Sequence, residues 1–130
     1  MEATEIRKLA ALEDRHWWYR ERRALLRAEV RRLEARGQQP GDALDIGAAG
    51  GGNTRVLCER GWRPIALEYS PEGAALARDW GLASIRADAR VLPLRSCSVD
   101  LVTAFERPEL IGRQRRHPGV RGPACGCCRR

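Results

Sequence analysis

Residues 44–54 read LDIGAAGGGNT, a short apolar run that ends in a glycine-rich loop. Glycine lacks a Cβ atom, so a loop of this composition lets the backbone turn sharply and approach a ligand closely. The segment that begins at Asn53 has helical character, and the free N–H groups of a helix start favour an acidic or polar ligand group. The stretch therefore predicts a strand, a ligand-binding loop and a helix.

Two common glycine loops do not match this stretch. The dinucleotide fingerprint G-x-G-x-x-G fails from Gly47, because Ala49 takes the second glycine position, and from Gly50, because Arg55 takes the sixth. A phosphate-binding P-loop needs G-K-[ST], and the stretch contains no lysine. The remaining feature of the stretch is an acidic residue, Asp45, two residues before the first glycine.

Short apolar strands alternate with helices along the central part of the chain. The sequence predicts strands at Ala43–Ile46, Pro64–Glu68, Ala83–Arg86 and Val99–Phe105, and helices at Asn53–Arg60 and from Pro71, after the N-cap Ser70, to Gly81. This alternation is typical of an α/β fold with a parallel sheet and right-handed crossovers. Ligands of such sheets lie beyond the carboxyl ends of the strands.

An Arg-, Glu-, Leu- and Ala-rich leader precedes the first strand and has no glycine or proline from Ala3 to Arg36. We expect helix, interrupted once, with Asp14 capping the second segment. One apolar stripe is predicted at Trp18, Leu25 or Leu26, Val30 and Leu33.

His16, Trp17 and Trp18 allow two interpretations. Large aromatic side chains on an amphipathic helix usually pack in a core. The alternative is a lid or wall of the ligand site, and there His16 is a candidate base because histidine moves protons near neutral pH.

The net charge of +7 lies almost entirely in the C-terminal segment. Residues 1–106 contain 17 Lys and Arg against 16 Asp and Glu, whereas residues 107–130 contain seven Arg against one Glu. The segment has no apolar period and is predicted to be disordered. Without aromatic residues it is a poor nucleic-acid site, and the spacing of His117 and the cysteines at 125, 127 and 128 does not match a zinc site, so no metal is expected.

The composition also predicts where the protein is found. No apolar run reaches the roughly 20 residues that span a membrane, and the N-terminus carries charges where a signal peptide needs apolar residues. We expect a cytoplasmic chain with reduced thiols, one domain and no membrane partner.

LDIGAAGGGNTRVL resembles motif I of class I S-adenosylmethionine-dependent methyltransferases, D-x-G-x-G-x-G, with Asp45, Gly47, Ala49 and Gly51 at the motif positions. Ala49 replaces the middle glycine. The resemblance implies that these residues bind S-adenosylmethionine. Asp45 either contacts the methionine part of the cofactor or orients the N–H groups of the loop.

Two later segments resemble the same family in its own order. PIALEYSPEGAALAR implies that Glu68 accepts hydrogen bonds from the ribose hydroxyls, a task that suits the two oxygens of a carboxylate. ADARVLPLRSCSVDLVTAFE implies that Asp88 contacts the adenine amino group and that Ala89 offers backbone to the ring. Asp100 is expected to be structural. With the leader EDRHWWYRERRALL, similar to that of some bacterial members, the resemblance covers residues 13–106.

The resemblance ends at Glu106, where the family continues with a helix and further strands. We therefore expect an incomplete Rossmann-like sheet of order 3-2-1-4, divided as leader 1–40, cofactor-binding core 41–106 and tail 107–130. The open edge of the fourth strand favours self-association. A shifted reading frame after the codon of Glu106 would explain the change in composition.

The predicted function is methyl transfer from S-adenosylmethionine to a small-molecule acceptor, impaired in this truncated chain. One alternative is an NAD(P)-binding oxidoreductase fragment, which would share the sheet and Glu68. The other is a non-catalytic module that binds nucleic acid through its basic tail.

Overall fold

The computed structural model describes residues 3–13, 15–48 and 51–105. Its elements are α1 (Ala3–Glu13), α2 (Trp17–Ala35), β1 (Asp42–Ile46), α3 (Gly52–Glu59), β2 (Arg63–Glu68), α4 (Pro71–Asp79), β3 (Ser84–Arg86) and β4 (Leu101–Ala104). Each strand and helix predicted from the sequence is present, with bounds shifted by at most two residues. The prediction that Asp14 caps the second leader helix is wrong, because the N-cap of α2 is His16. The predictions for Ala49 and residues 106–130 lie outside the described residues.

The four strands form one parallel sheet in the order β3-β2-β1-β4, which confirms the predicted order 3-2-1-4. Ile46 at the end of β1 is level with Leu67 in β2 and with Ala104 in β4. The carboxyl ends of the strands therefore share one edge, formed by Ile46, Glu68, Arg86 and Ala104, which we call the carboxyl edge.

One face of the sheet is covered by helices. Leu26 and Val30 of α2 are buried against residues of β1, α3 and the start of β2, and Phe105 packs at the margin of this cluster; its other buried members are Ala43, Val56, Leu57 and Trp62. A smaller cluster joins β2 to α4 through Ala66 and Ala77. Burial of each large apolar side chain contributes roughly 1.5–3 kcal/mol, so this face carries much of the stability.

The opposite face has a different covering. Its cluster of Leu44, Ile46, Leu67, Ala89 and Val99 contains no helical residue within the described part of the chain. Ala89 and Val99 come from the segment that joins β3 to β4, so that segment covers this face.

The apolar stripe predicted for α2 is only partly correct. Leu26 and Val30 are buried, but Leu25 is 54% exposed and Trp18 is 48% exposed. The N-cap of α2 is His16, whose Nδ1 accepts a hydrogen bond from the Trp18 backbone N–H at 3.4 Å. The helix contacts the sheet with its central turns, and its first turn extends beyond the apolar cluster. Neither α2 nor any other described helix is long and apolar enough to cross a membrane.

Asp100 joins β1 to the segment before β4 at the edge opposite the carboxyl edge. Its Oδ2 accepts the Asp42 backbone N–H at 3.0 Å, and its own N–H donates to the Asp42 carbonyl at 2.8 Å. Gly41 leaves the space that this carboxylate fills, because a Cβ atom at Gly41 would collide with it. This geometry agrees with the structural role expected for Asp100.

Candidate functional site

The glycine loop starts directly at the carboxyl edge. Gly47 and Gly51 have φ angles of +68° and +78°, in the left-handed region that disfavours other residues. The Gly47 N–H donates to the Leu67 carbonyl at 2.9 Å, which fixes the start of the loop to β2. A Cβ atom at Gly51 would also lie 2.6 Å from Cδ1 of Leu82. Both positions therefore favour glycine for its conformation, and a side chain at Gly51 would also displace the end of the Leu82 side chain.

The helix that follows the loop begins without a side-chain cap. The N-cap of α3 is Gly51, which has no side chain to accept a hydrogen bond from the first turn. In contrast, α4 is capped by Ser70, whose Oγ accepts the Gly73 N–H at 3.0 Å, as the sequence predicted. The N–H groups of the first turn of α3 therefore suit a polar or acidic ligand group.

Asp45 lies beneath this loop and is 1% exposed. Its Oδ2 accepts a hydrogen bond from Thr54 Oγ1 at 2.7 Å, and its Oδ1 accepts one from Thr103 Oγ1 at 2.7 Å. Thr54 belongs to the first turn of α3 and Thr103 to β4, and both are buried. One carboxylate thus joins β1, the helix after the loop and the neighbouring strand.

The sequence did not identify Thr54 and Thr103 as functional residues. Asp45 is level with Thr103 in the parallel pairing of β1 and β4. The predicted strand order already placed these strands side by side, so the missing information was the register. A threonine in the first turn after a glycine loop is the signal that could have drawn attention to Thr54.

Glu68 ends β2 at the carboxyl edge and is partly buried. Its carboxylate lies against the first turn of α4, where Gly73 makes room for it. A Cβ atom at Gly73 would lie 2.8 Å from Glu68 Oε2 and 3.0 Å from Ser70 Oγ. The first turn of α4 therefore approaches the Glu68 carboxylate closely at the carboxyl edge. A residue larger than glycine at position 73 would occupy the space that the carboxylate uses.

Asp88 lies two residues after β3, and Arg90 binds its carboxylate. Asp88 Oδ1 accepts the Arg90 backbone N–H at 2.9 Å and Arg90 Nε at 3.0 Å, and Oδ2 accepts Arg90 Nη2 at 2.5 Å. The side-chain hydrogen bonds from Arg90 lower the pKa of Asp88 most, and the backbone hydrogen bond from Arg90 adds to the effect, so that the pKa is about 2. Its neighbour Ala89 is 8% exposed and packs in the cluster on the second face.

The aromatic residues at the start of α2 are exposed. Trp17 is 66% exposed and Trp18 48% exposed, so the interpretation of these residues as core is wrong. His16 stacks on Trp17 with ring centroids 5.9 Å apart and meets Tyr19 edge-on at 6.2 Å. These contacts form a surface cluster at the N-terminal end of the helix.

Four predicted site residues thus lie at the carboxyl ends of three neighbouring strands. Gly47 and Gly51 follow β1, Glu68 is the last residue of β2, and Asp88 follows β3. Asp45 lies below them in β1, and His16 belongs to a different element, the leader. This arrangement can bind an extended ligand along the carboxyl edge, with polar groups near β1 and β2.

The sequence profile of the methyltransferase-domain family matches residues 44–116, more than half of the chain. The chain belongs to this family of methyltransferase domains, and its cofactor is S-adenosylmethionine. The match continues ten residues past Glu106, where the sequence resemblance was expected to end.

Solved structures of similar fold come from the same class of enzyme. A Methanococcus maripaludis protein assigned to the S-adenosyl-L-methionine-dependent methyltransferases is 13% identical, with a TM-score of 0.65 over 83% of this chain and 52% of its own. CalS10, an amino pentose methyltransferase from Micromonospora echinaspora with bound S-adenosylmethionine, is 23% identical, with a TM-score of 0.59 over 77% of this chain and 41% of its own. At these sequence identities, the structural similarity shows a shared fold.

The chain spans about half the length of these neighbours or less. A third similar structure, the PH0226 protein from Pyrococcus horikoshii, is 22% identical, with a TM-score of 0.58 over 68% of this chain and 43% of its own. No curated protein matches the sequence.

Replacing Thr103 with valine removes one hydroxyl donor to Asp45 and keeps the shape of the side chain. We expect the free energy of unfolding to fall by about 1–3 kcal/mol, because one oxygen of a buried carboxylate loses its hydrogen bond. Urea unfolding followed by circular dichroism measures this change. Thr103→Ser keeps the hydroxyl and serves as the control. An unchanged stability of Thr103→Val would contradict the role of this bond.

Replacing Arg90 with glutamine removes the guanidinium that binds Asp88. We expect the pKa of Asp88 to rise from about 2 towards 3.8, the usual value for an aspartate. Since the folded-state pKa is depressed in the unmodified chain, this pair stabilises the fold above pH 4, and its contribution is lost as the pH falls towards 2. NMR titration of the Asp88 side-chain carboxyl measures the pKa in both proteins, with Arg86→Gln as the control. Equal values in both would show that Arg90 does not bind Asp88 in solution.

Proposed function

We propose that this chain binds S-adenosylmethionine along the carboxyl edge and transfers its methyl group to a small-molecule acceptor. The observation that carries the proposal is the buried Asp45 carboxylate, held by Thr54 and Thr103 under a loop with two left-handed glycines. The family membership supports the reaction class. The acceptor and the roles of individual residues are part of the proposal.

We assign the loop to the methionine part of the cofactor. Gly47 and Gly51 would bring backbone close to the ligand, with Ala49 included by its place in the motif, and the uncapped first turn of α3 would offer N–H groups to its carboxylate. Asp45 is a positioning residue in this assignment. Its two oxygens already accept hydroxyl hydrogen bonds, and only 1% of its surface is exposed to a ligand.

The nucleoside part is assigned to the ends of β2 and β3. Glu68 would accept hydrogen bonds from the two ribose hydroxyls, because the two oxygens of a carboxylate can accept two O–H donors at once. Asp88 would accept a hydrogen bond from the adenine amino group, and its contact with Arg90 would keep the carboxylate ionised. Ala89, fixed by its burial, would offer backbone to the adenine ring.

When bound, S-adenosylmethionine supplies a methyl group on a positively charged sulfur. The protein contributes position, which is a large part of the acceleration available to a bimolecular displacement. An oxygen or nitrogen acceptor also loses a proton, and His16 is the candidate base. Nδ1 of His16 accepts the Trp18 N–H, so the neutral ring carries its hydrogen on Nε2, and Nδ1 would take this proton once that hydrogen bond opens.

We further propose that the chain associates with itself through β4 and acts in the cytoplasm. Within the described residues, β4 pairs only with β1, which leaves its other edge for a second strand. Cys58 and Cys97 form no disulfide within the described residues, which suits a reducing compartment. The division into a leader at 1–40, a core at 41–106 and a tail at 107–130 belongs to the same proposal.

Replacing Glu68 with alanine tests the cofactor site. We expect S-adenosylhomocysteine to bind at least about tenfold more weakly, because hydrogen bonds to a charged group contribute roughly 1.5–3 kcal/mol. Calorimetry measures the affinity, and Glu72→Ala, which removes a carboxylate in the first turn of α4, is the control. NAD is titrated into the same sample. Binding of NAD in place of S-adenosylhomocysteine would favour the oxidoreductase alternative.

We expect the purified 130-residue chain to bind cofactor but to transfer methyl groups slowly or not at all. The chain overlaps only 41–52% of two of its structural neighbours, and apolar residues of the second face, such as Val102 and Ala104, are only partly buried. Incubation of S-adenosylmethionine, labelled in its methyl group, with a panel of small acceptors measures transfer. Rapid turnover would contradict the proposed impairment.

A further inference from the structure

One row of side chains on α2 is apolar and buried in the middle of the helix but contains an arginine and an exposed tryptophan near its start. Trp18, Arg22, Leu26 and Val30 follow one another at four-residue steps, so they lie on the same face. Leu26 and Val30 are buried against the sheet. Arg22 and Trp18 continue the row towards the start of the helix, where the buried cluster ends.

Arg22 fixes this part of the helix to the carboxyl edge. Its Nη2 donates to the carbonyl oxygen of Phe105 at 2.9 Å, and Phe105 directly follows β4. Trp18 lies one turn further along the row, about 5–6 Å past the level of Arg22. The row therefore carries Trp18 beyond the end of β4, the strand that pairs with β1.

Arg22 also holds the indole of Trp18. Its guanidinium carbon lies 5.1 Å from the centroid of the Trp18 ring, within the range of a cation–π interaction. Trp18 nevertheless remains 48% exposed. The pair thus presents an aromatic surface and a positive charge beyond the end of β4.

The charge around this pair favours an anion. Residues 15–27 contain five arginines, at positions 15, 20, 22, 23 and 27, and one acidic residue, Glu21; Arg27 is ion-paired with Glu59 of α3. A positive surface raises the local concentration of anionic ligands, and an exposed indole binds flat rings.

We propose that Trp18 and Arg22 form the acceptor-binding wall of the methyl-transfer site and that they select an acceptor with a flat ring and a negative charge. This inference rests on the proposed function and names the substrate class of the same site. Trp18 contacts the ring of the acceptor, whereas Arg22 attracts its charge and positions Trp18.

Two ring-bearing anions, uridine diphosphate and 4-hydroxybenzoate, are the probes for this test. Each is titrated by calorimetry into the full chain saturated with S-adenosylhomocysteine, next to uridine, which lacks the charge, and pyrophosphate, which lacks the ring. We expect at least one ring-bearing anion to bind about tenfold more tightly than uridine or pyrophosphate, in line with the contribution of stacking on one aromatic side chain.

Four variants identify the surface. We expect Trp18→Leu and Arg22→Gln each to weaken binding of the ring-bearing anion about tenfold. Trp17→Leu and Arg20→Gln remove the same side chains from the neighbouring face of the same helix and should change the affinity less than about twofold. Trp18→Phe keeps a ring and should bind with intermediate affinity. S-adenosylhomocysteine affinity and the unfolding midpoint check the fold of each variant.

Three outcomes would overturn the inference. The first is no binding of either ring-bearing anion at millimolar concentration by a sample that binds S-adenosylhomocysteine, which leaves the proposed function intact. The second is an equal loss of affinity in the Trp17 and Arg20 variants. The third is much tighter binding of a single-stranded oligonucleotide than of uridine diphosphate at the same surface. A sample that binds neither S-adenosylhomocysteine nor the anions contradicts the proposed function together with this inference.

Discussion

The rest of the site depends on the hydrogen bonds of one buried carboxylate. Asp45 is almost fully shielded from water, and an ionised group in that position is tolerated only when its oxygens have donors. Thr54 and Thr103 supply two of them from different elements. Because both hydroxyls must reach the same carboxylate, the start of α3 and the strand β4 are fixed relative to β1, and the glycine loop between Asp45 and Thr54 is constrained at both ends.

The carboxyl edge gathers its functional groups for a topological reason. All four strands run in the same direction, so the residues that follow each strand lie at the same edge of the sheet. Glu68 and Asp88 reach this edge from β2 and β3, and the loop reaches it from β1. The leader helix approaches from the other side of β1, where Arg22 bonds to the residue after β4. We propose that the cofactor and the acceptor meet between these two groups.

The sequence, with the family resemblance that it carries, was sufficient for the fold. Apolar runs and the Ser70 cap predicted the strands and helices because these are local signals, and the resemblance to the methyltransferase family supplied the order of the strands. The partners of the charged groups were not predictable in this way. The bond of Thr103 to Asp45 depends on strand register, and the contact of Arg22 with Phe105 joins residues 83 positions apart.

The exposure of Trp18 had a similar cause. Its spacing fits the apolar stripe of α2, but only the tertiary structure determines how far the sheet extends beneath the helix. The same holds for Asp88, whose pairing with Arg90 reflects the conformation of the chain after β3. Periodicity thus identified the correct helix face, while the length of the contact with the sheet decided which residues of that face are buried.

A crystal structure of the chain with S-adenosylhomocysteine tests the central claim most directly. The account predicts the ligand along the carboxyl edge, with its homocysteine part at the loop between Gly47 and Gly51, its ribose hydroxyls donating to Glu68, and Asp45 still bonded to Thr54 and Thr103. A ligand bound away from this edge, or bound there with Glu68 turned away from the ribose, would contradict it.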